Sequence, residues 1–167
     1  FMGSTITFVG VGNSGSIVRS TDNGTNWDNA TSPTANLLYG VTFGNNTFVA
    51  VGNSGNIMRS TDNGTNWDNA TSSTGNHLWG VTFANNTFVA VGNSGNIVRS
   101  TDNGASWDNV TSPTGNWLEG VSYGTNTSVG VGNNGSIVRS SDTGLLLYTS
   151  YSCHDSCRVE FCHTPTT

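Results

Sequence analysis

Short apolar segments alternate with clusters of Gly, Asn, Ser and Asp along most of the chain, and this alternation recurs every 40 residues. Segments 41–80 and 81–120 align without a gap, and the same register runs back to Phe8 and forward to Ser141. A fixed period of this length is typical of repeat architectures, in which each repeat is one supersecondary unit. We therefore expect the repeats to fold alike, and their near identity indicates recent duplication or design.

Four short strands are expected in each repeat. In the second repeat they are predicted at Leu37–Phe43, Thr47–Val51, Asn56–Thr61 and Thr65–Ala70, with Gly-Asn-Asn, Gly-Asn-Ser-Gly and Asp-Asn-Gly between them. Gly and Asn tolerate the positive φ of tight turns, and turns at this spacing join antiparallel strands. The repeat therefore predicts a four-stranded antiparallel meander.

The middle strands are apolar on both faces, since Phe48 and Ala50 alternate with Val49 and Val51. A strand buried on both faces needs a sheet packed between two other sheets, which blades stacked around an axis provide. We predict an all-β fold, a β-propeller of four-stranded antiparallel blades with 40-residue repeats and four blades per chain. A β-solenoid is the competing architecture, although its coils are usually shorter. The predicted blades cover about 1–36, 37–76, 77–116 and 117–150, with a C-terminal tail at 151–167.

Charge excludes several classes of partner. The net charge is −5, charged residues make up 9% of the chain, and lysine is absent. Nucleic acids and anionic membranes both require clustered basic residues, so neither is an expected partner. No apolar run approaches the roughly 20 residues of a membrane helix. The neutral polar composition slightly favours an extracellular or cell-surface location and leaves the compartment unknown.

One motif, S-x-D-x-G-x-x-W, recurs between the third and fourth predicted strands. The aspartate can accept hydrogen bonds from amides across the turn, the glycine supplies an unusual backbone conformation, and the tryptophan buries apolar area. These roles are structural and explain the whole motif. Its members are Ser20, Asp22, Gly24, Trp27, Ser60, Asp62, Gly64, Trp67, Ser100, Asp102, Gly104 and Trp107, with a decayed fourth copy that keeps Asp142 and Gly144 but has Leu147 in place of tryptophan.

This motif resembles the Asp-box, or bacterial neuraminidase repeat. Related blades occur in sialidases, in sortilin-type receptors and in the photosystem II stability/assembly factor family. With Ala-Val-Gly-Asn-Ser-Gly-Asn-Ile before the box, the repeat looks most like the last family. The resemblance implies a β-propeller, and that family is associated with an arginine-rich protein-binding surface.

A sialidase-like reaction would need a tyrosine nucleophile, carboxylates and an arginine cluster. Glu119 is the only glutamate within the repeats, and no tyrosine is paired with it. We therefore expect no enzymatic activity and no catalytic residues. No cofactor is expected, and no metal site either, because the spacing of Cys153, Cys157 and Cys162 matches no familiar zinc motif.

Two sets of residues are candidates for ligand binding. The arginines occupy one repeat position, where a ring of guanidinium groups could bind carboxylate, sulfate or an acidic segment. The alternative is an ion pair with Asp28, Asp68 or Asp108 inside each blade. The second set lies at the start of the innermost strand, where the repeats vary most: exposed aromatic rings there could stack on sugar or peptide, and plain packing variation is the alternative. The two sets are Arg19, Arg59, Arg99 and Arg139, and Tyr39, Trp79 and Trp117.

The predicted function is a non-enzymatic binding or scaffold module that recognises a protein or a glycan through one ring face. The alternative is a purely structural or engineered self-assembling repeat protein, and a sialidase-like glycosidase ranks below both.

Ring closure is left open by the sequence. The chain starts at the second strand of a blade, and Cys157–His163 is in register to supply the missing innermost strand. A four-bladed ring in one chain, an eight-bladed ring of two chains and an open stack are all compatible with the repeats. Because related blades usually form larger rings, we expect a homo-oligomer that completes one.

Overall fold

Four antiparallel sheets follow one another along the chain in the computed structural model, which describes residues 6–125, 127–140 and 151–152. The predicted all-β architecture with one sheet per 40-residue repeat is confirmed. The first sheet contains β1 (Phe8–Val11), β2 (Ile17–Ser20) and β3 (Asp28–Asn29). The others contain β4 (Leu38–Gly44), β5 (Thr47–Gly52), β6 (Ile57–Ser60) and β7 (Asp68–Asn69); β8 (Leu78–Ala84), β9 (Thr87–Gly92), β10 (Ile97–Ser100) and β11 (Asp108–Val110); and β12 (Leu118–Gly124), β13 (Thr127–Gly132), β14 (Ser136–Arg139) and β15 (Tyr151–Ser152).

Each sheet is a meander whose turns use the residues that the sequence places there. Between β4 and β5, Asn45 and Asn46 have φ of 47° and 55°, the left-handed conformation of a tight hairpin. A short 3₁₀ turn at Asn53–Gly55 joins β5 to β6. The predicted fourth strand, Thr65–Ala70, is too long, because only Asp68–Asn69 pairs with β6. Trp67 therefore precedes the strand and belongs to the turn.

The blades pack through two different faces, which we name by their residues. The valine face of a blade carries Val49, Val51 and Ile57 or their equivalents, and the tryptophan face carries Phe48, Met58, Trp67 or their equivalents. The valine face of the second blade packs on the tryptophan face of the third, where Phe88 and Trp107 lie. The same pairing joins the first blade to the second. The third blade packs on Leu118 and Val138 of the fourth, where Ser128 stands at the position of Phe48 and Phe88. Blade-to-blade packing of this kind forms the core, with smaller side chains at the fourth blade.

The innermost strands β4, β8 and β12 lie side by side. A Cβ at Gly80 would lie 3.3 Å from the Cα of Gly120 and 3.3 Å from the amide nitrogen of Val121. Glycine at this repeat position therefore lets neighbouring backbones approach closely, and it brings the starts of these strands together.

Two faces remain exposed among the described residues. The tryptophan face of the first blade leaves Phe8 44% and Trp27 48% exposed, and the valine face of the fourth leaves Val129 36% and Val131 45% exposed. The strand Tyr151–Ser152 pairs with β14 and forms the outer edge of the fourth sheet. Asp142, Gly144, Leu147 and the closing strand predicted at Cys157–His163 lie outside the described residues, and the predicted blade boundaries stay predictions.

Candidate functional site

Three copies of the aspartate turn, defined as Ser20–Trp27, Ser60–Trp67 and Ser100–Trp107, share one hydrogen-bond pattern. In the second copy the Ser60 hydroxyl donates to Asp62 Oδ1 at 2.9 Å and accepts from the amide of Gly64 at 3.0 Å. Asp62 also accepts from the amide of Asn66 at 2.9 Å, and the Trp67 indole donates to the Gly64 carbonyl at 3.1 Å. The polar groups of the motif are therefore hydrogen-bonded to one another within the turn.

These hydrogen bonds favour the ionised carboxylate. Donation from the backbone amide of Asn26 is the largest effect that lowers the pKa of Asp22 from 3.8 to about 2. The amide of Asn66 lowers the pKa of Asp62 to about 2 in the same way. For Asp102 the largest effect is the hydroxyl of Ser106, which also lowers the pKa to about 2. A carboxyl group with so low a pKa is ionised near neutral pH and holds no proton to donate, as a general acid must.

The aspartate turn also forms hydrogen bonds with the preceding blade. The carbonyl oxygen of Asn103 accepts from Arg59 Nε at 2.8 Å, and the Asn103 side-chain amide donates to Thr47 Oγ1 at 2.7 Å. Asn63 makes the equivalent contacts with Arg19 and Thr7. Sequence reasoning missed this role. Its only signal is that the same repeat position holds asparagine in all three complete copies.

The predicted arginine positions lie on the third strand of each blade and not on the innermost strand. Arg19 and Arg59 each use Nε to bind the next blade, and the hydrogen bond does not run to Asp28 or Asp68, which lie opposite them in the register. Arg139 is exposed on the open valine face. The anion-binding ring stays a prediction. Arg19 and Arg59 form hydrogen bonds that link neighbouring blades.

The predicted aromatic positions, in contrast, come together at the start of the innermost strands. A β-bulge interrupts the register between Leu38 and Gly40, and again between Leu78 and Gly80. Bulges bend a strand and redirect a side chain. Leu38 and Leu78 point into the core at 2% and 0% exposure, while the bulged residues Tyr39 and Trp79 are half-buried. No residue pattern in the sequence predicts this bulge.

The aromatic row, defined as Tyr39, Trp79 and Trp117, lines a cleft of about 390 Å³ together with Glu119. The ring centroids of Tyr39 and Trp79 are 4.1 Å apart, and those of Trp79 and Trp117 are 6.3 Å apart and stacked at 26°. Trp117 is 46% exposed. The cleft is within the size range of small-ligand sites.

Polar contacts fix two members of the row. Tyr39 Oη donates to Asn53 Oδ1 at 2.5 Å, and Trp79 Nε1 donates to Asn93 Oδ1 at 2.6 Å. His77 lies edge-on to Trp79 with centroids 6.2 Å apart, and its Nδ1 accepts from the amide of Ser54 at 2.9 Å. The aromatic rings are therefore held in position by neighbouring 3₁₀ turns.

The fourth blade departs from this pattern. Glu119 occupies the position of Tyr39 and Trp79, and Asn133 occupies that of Asn53 and Asn93. Asn133 Oδ1 is buried and has no hydrogen-bond partner among the described residues. An ionised carboxylate cannot donate as a phenol or an indole does. This end of the cleft therefore carries the Glu119 carboxylate, and the buried Asn133 Oδ1 lacks the donor that its equivalents have in the second and third blades.

Within residues 6–125 and 127–140, no group of three His, Cys, Asp or Glu side chains is arranged to hold a metal ion. In the same residues no helix has the length and apolar character needed to cross a bilayer.

Comparison with known proteins gives structural matches only. No family model matches the chain, and no curated protein resembles it in sequence. A solved structure of YCF48 bound to D1 peptide matches with a TM-score of 0.70 and 18% identity, over 90% of this chain and 51% of that one. YCF48 from Cyanidioschyzon merolae matches with a TM-score of 0.68 and 17% identity, over 95% and 59%.

A computationally designed protein, Ika4, also matches, with a TM-score of 0.62 and 14% identity over 83% of this chain and 86% of that one. At these identities the likeness shows the fold. YCF48 is a photosystem II assembly factor with a β-propeller fold, so the predicted resemblance to propellers of that type is confirmed. This chain spans just over half the length of the YCF48 structures it matches.

Proposed function

We propose that this chain is a non-enzymatic propeller module that binds an extended protein segment across the aromatic row. One observation carries the proposal: three bulged or strand-entry positions bring Tyr39, Trp79 and Trp117 into one cleft, where their rings are partly exposed. Half-exposed aromatic rings supply large contact area at low entropic cost, and they are enriched in binding surfaces. Other exposed aromatic rings, such as Phe43 at 51%, do not line this cleft.

Two further points support a protein ligand. The YCF48 structure with a TM-score of 0.70 was solved with a peptide bound, so the fold accommodates peptide binding in a neighbour of this chain. The position of the row at the start of the innermost strands is also common to three blades, so a ligand can contact several repeats together. A glycan, which stacks on aromatic rings as well, is the other candidate from the sequence.

Selection from a random peptide library displayed on phage, run beside a glycan array, tests the proposal. Peptides that bind the wild-type chain should lose at least about tenfold in affinity with Trp117→Ala, since interface hot spots, in which Trp is enriched, cost about 2 kcal/mol or more when truncated to alanine. Phe43→Ala is the matched control, because Phe43 is 51% exposed outside the row. Binding of glycans alone, or selected peptides that are indifferent to Trp117→Ala, would contradict it.

A second candidate, self-assembly into a larger ring, is favoured by the exposed terminal faces. The tryptophan face of the first blade and the valine face of the fourth are the two halves of the interface that recurs inside the chain. Two copies paired head to tail would bury both faces, and such heterologous contacts give a ring when the rotation closes.

Analytical ultracentrifugation tests this candidate. We expect a species of twice the 17.4 kDa chain mass, which becomes monomeric with Val131→Glu. Thr25→Glu, a substitution at an exposed site outside the faces, is the control and should leave the mass unchanged. A wild-type chain that is monomeric at high concentration would rule the ring out.

A further inference from the structure

We propose that the aromatic row recognises the guanidinium group of an arginine side chain presented by its protein ligand. This inference rests on the proposed function, because it names the chemistry that the same cleft selects. It starts from the asymmetry of the cleft: the stacked indoles of Trp79 and Trp117 form one side, and Glu119 lines the same cleft.

The negative end of the cleft is the first argument. Glu119 is exposed, and the Asn133 Oδ1 oxygen of the same blade has no hydrogen-bond donor among the described residues. In the second and third blades the equivalent oxygens accept from Tyr39 and Trp79. The fourth blade therefore places an exposed carboxylate where its neighbours place a phenol and an indole, whereas Asn133 Oδ1 is buried and does not line the cleft. A ligand that matches this end must be cationic and must donate hydrogen bonds.

The stacked indoles select among cations. The interplanar angle between Trp79 and Trp117 is 26°, so their faces are nearly parallel. A guanidinium is planar, stacks on indole faces, and donates two parallel hydrogen bonds to a carboxylate. An ammonium group has neither the flat surface nor the forked donors. Flat stacking combined with a carboxylate therefore favours arginine over lysine.

Charge on the rest of the chain agrees with this assignment. Within residues 6–125 and 127–140, no arginine lines the cleft, and the net charge of the whole chain is −5. Arg19 and Arg59 use their Nε groups at blade interfaces and lie on the third strands, so they do not neutralise Glu119. A cationic side chain of a partner therefore meets an uncompensated carboxylate.

Titrations followed by ¹H–¹⁵N spectra of the indole N–H groups test the proposal with N-acetyl-arginine methylamide as the probe. We expect the Trp79 and Trp117 signals to shift saturably, and the uncharged isostere N-acetyl-citrulline methylamide to bind at least about fivefold more weakly, as expected for a partly exposed cation–π and ion-pair site. Glu119→Gln should weaken the arginine probe by about three- to tenfold.

Two controls separate recognition from folding. Glu119→Gln keeps the size of an exposed side chain, so the variant should fold. Asp68→Asn removes one carboxylate from the outermost strand of another blade and should leave the affinity unchanged. Equal binding of the citrulline probe, or wild-type affinity in Glu119→Gln, would overturn the assignment.

The outcome is distinguishable from failure of the proposed function. If selected peptides require Trp117 but bind equally well after every arginine is replaced by citrulline, only the arginine assignment is contradicted. If the library yields no Trp117-dependent peptide, both proposals are contradicted.

Discussion

Trp27 and Trp107 occupy the same place in two nearly identical turns, yet one is 48% exposed and the other 3%. Their local hydrogen bonds are the same, since each indole donates to the glycine carbonyl of its own turn, at 3.1 Å for Trp27 and 3.2 Å for Trp107. The difference is the neighbour: Trp107 is covered by the valine face of the second blade. The turn therefore shapes the hairpin, and the adjacent blade supplies the burial energy of its tryptophan.

Replacing each tryptophan by alanine separates the contribution of the turn from that of the adjacent blade, and it has the largest expected effect. Trp107→Ala should lower the free energy of unfolding by about 3–5 kcal/mol, because it empties a fully packed site. Trp27→Ala should cost roughly 1–2 kcal/mol at protein concentrations low enough to keep chains apart, because half of the side chain already contacts water. Urea denaturation followed by circular dichroism measures both. Equal losses would show that the tryptophan acts within its own hairpin.

A buried interface and an exposed face can also be compared through their arginines, with a smaller expected change in the free energy of unfolding. Arg59→Ala should lower the free energy of unfolding by about 1–2 kcal/mol, because it removes the hydrogen bond to the Asn103 carbonyl across the blade interface. Arg139→Ala, on the exposed valine face, should change stability by less than about 0.5 kcal/mol. Thermal unfolding of the two variants in parallel gives the difference. A larger loss for Arg139 would contradict the assignment of these side chains to blade-to-blade links.

Acid should affect all three turns alike, since hydrogen bonding lowers the pKa of Asp22, Asp62 and Asp102 to about 2. A carboxylate with a lowered folded-state pKa contributes stability above its unfolded pKa of 3.8, and this contribution is lost as the pH falls towards 2. Stability measured between pH 5 and pH 2 should therefore fall.

Asn substitutions show whether the acid effect is local. Asp22→Asn and Asp62→Asn should each make the fall below pH 4 shallower by a similar amount, although Trp27 is exposed and Trp67 is buried. A shallower profile for Asp62→Asn alone would show that the strength of the turn depends on the adjacent blade.

The sequence predicted the fold well because its signal is repeated and redundant. The two-sided burial of β5 follows directly from the apolar residues on both of its faces, and the hairpin turns follow from Asn45 and Asn46. The length of the fourth strand was not predictable from the pattern, because the Asp62 side chain pairs with the amides that an extended strand would otherwise use.

The site was predicted only in part. Tyr39, Trp79 and Trp117 were singled out because they vary between near-identical repeats, and the structure brings them into one cleft. What the pattern could not supply is the bulge that directs Tyr39 and Trp79, and the loss of the donor to Asn133. Both depend on which residues face each other across strands and blades, and that information is absent from a one-dimensional pattern.

The recurring interface has a consequence for how such a chain can change in length. Because the first three blades present the same valine face, and the second and third receive it on the same tryptophan face, inserting or deleting one such 40-residue unit leaves each remaining interface among them chemically complete. Copy number can then drift by unequal recombination between the repeats without a penalty in packing. Geometry around the axis, and not the chemistry of any single blade, becomes the property on which selection for a fixed number of blades acts.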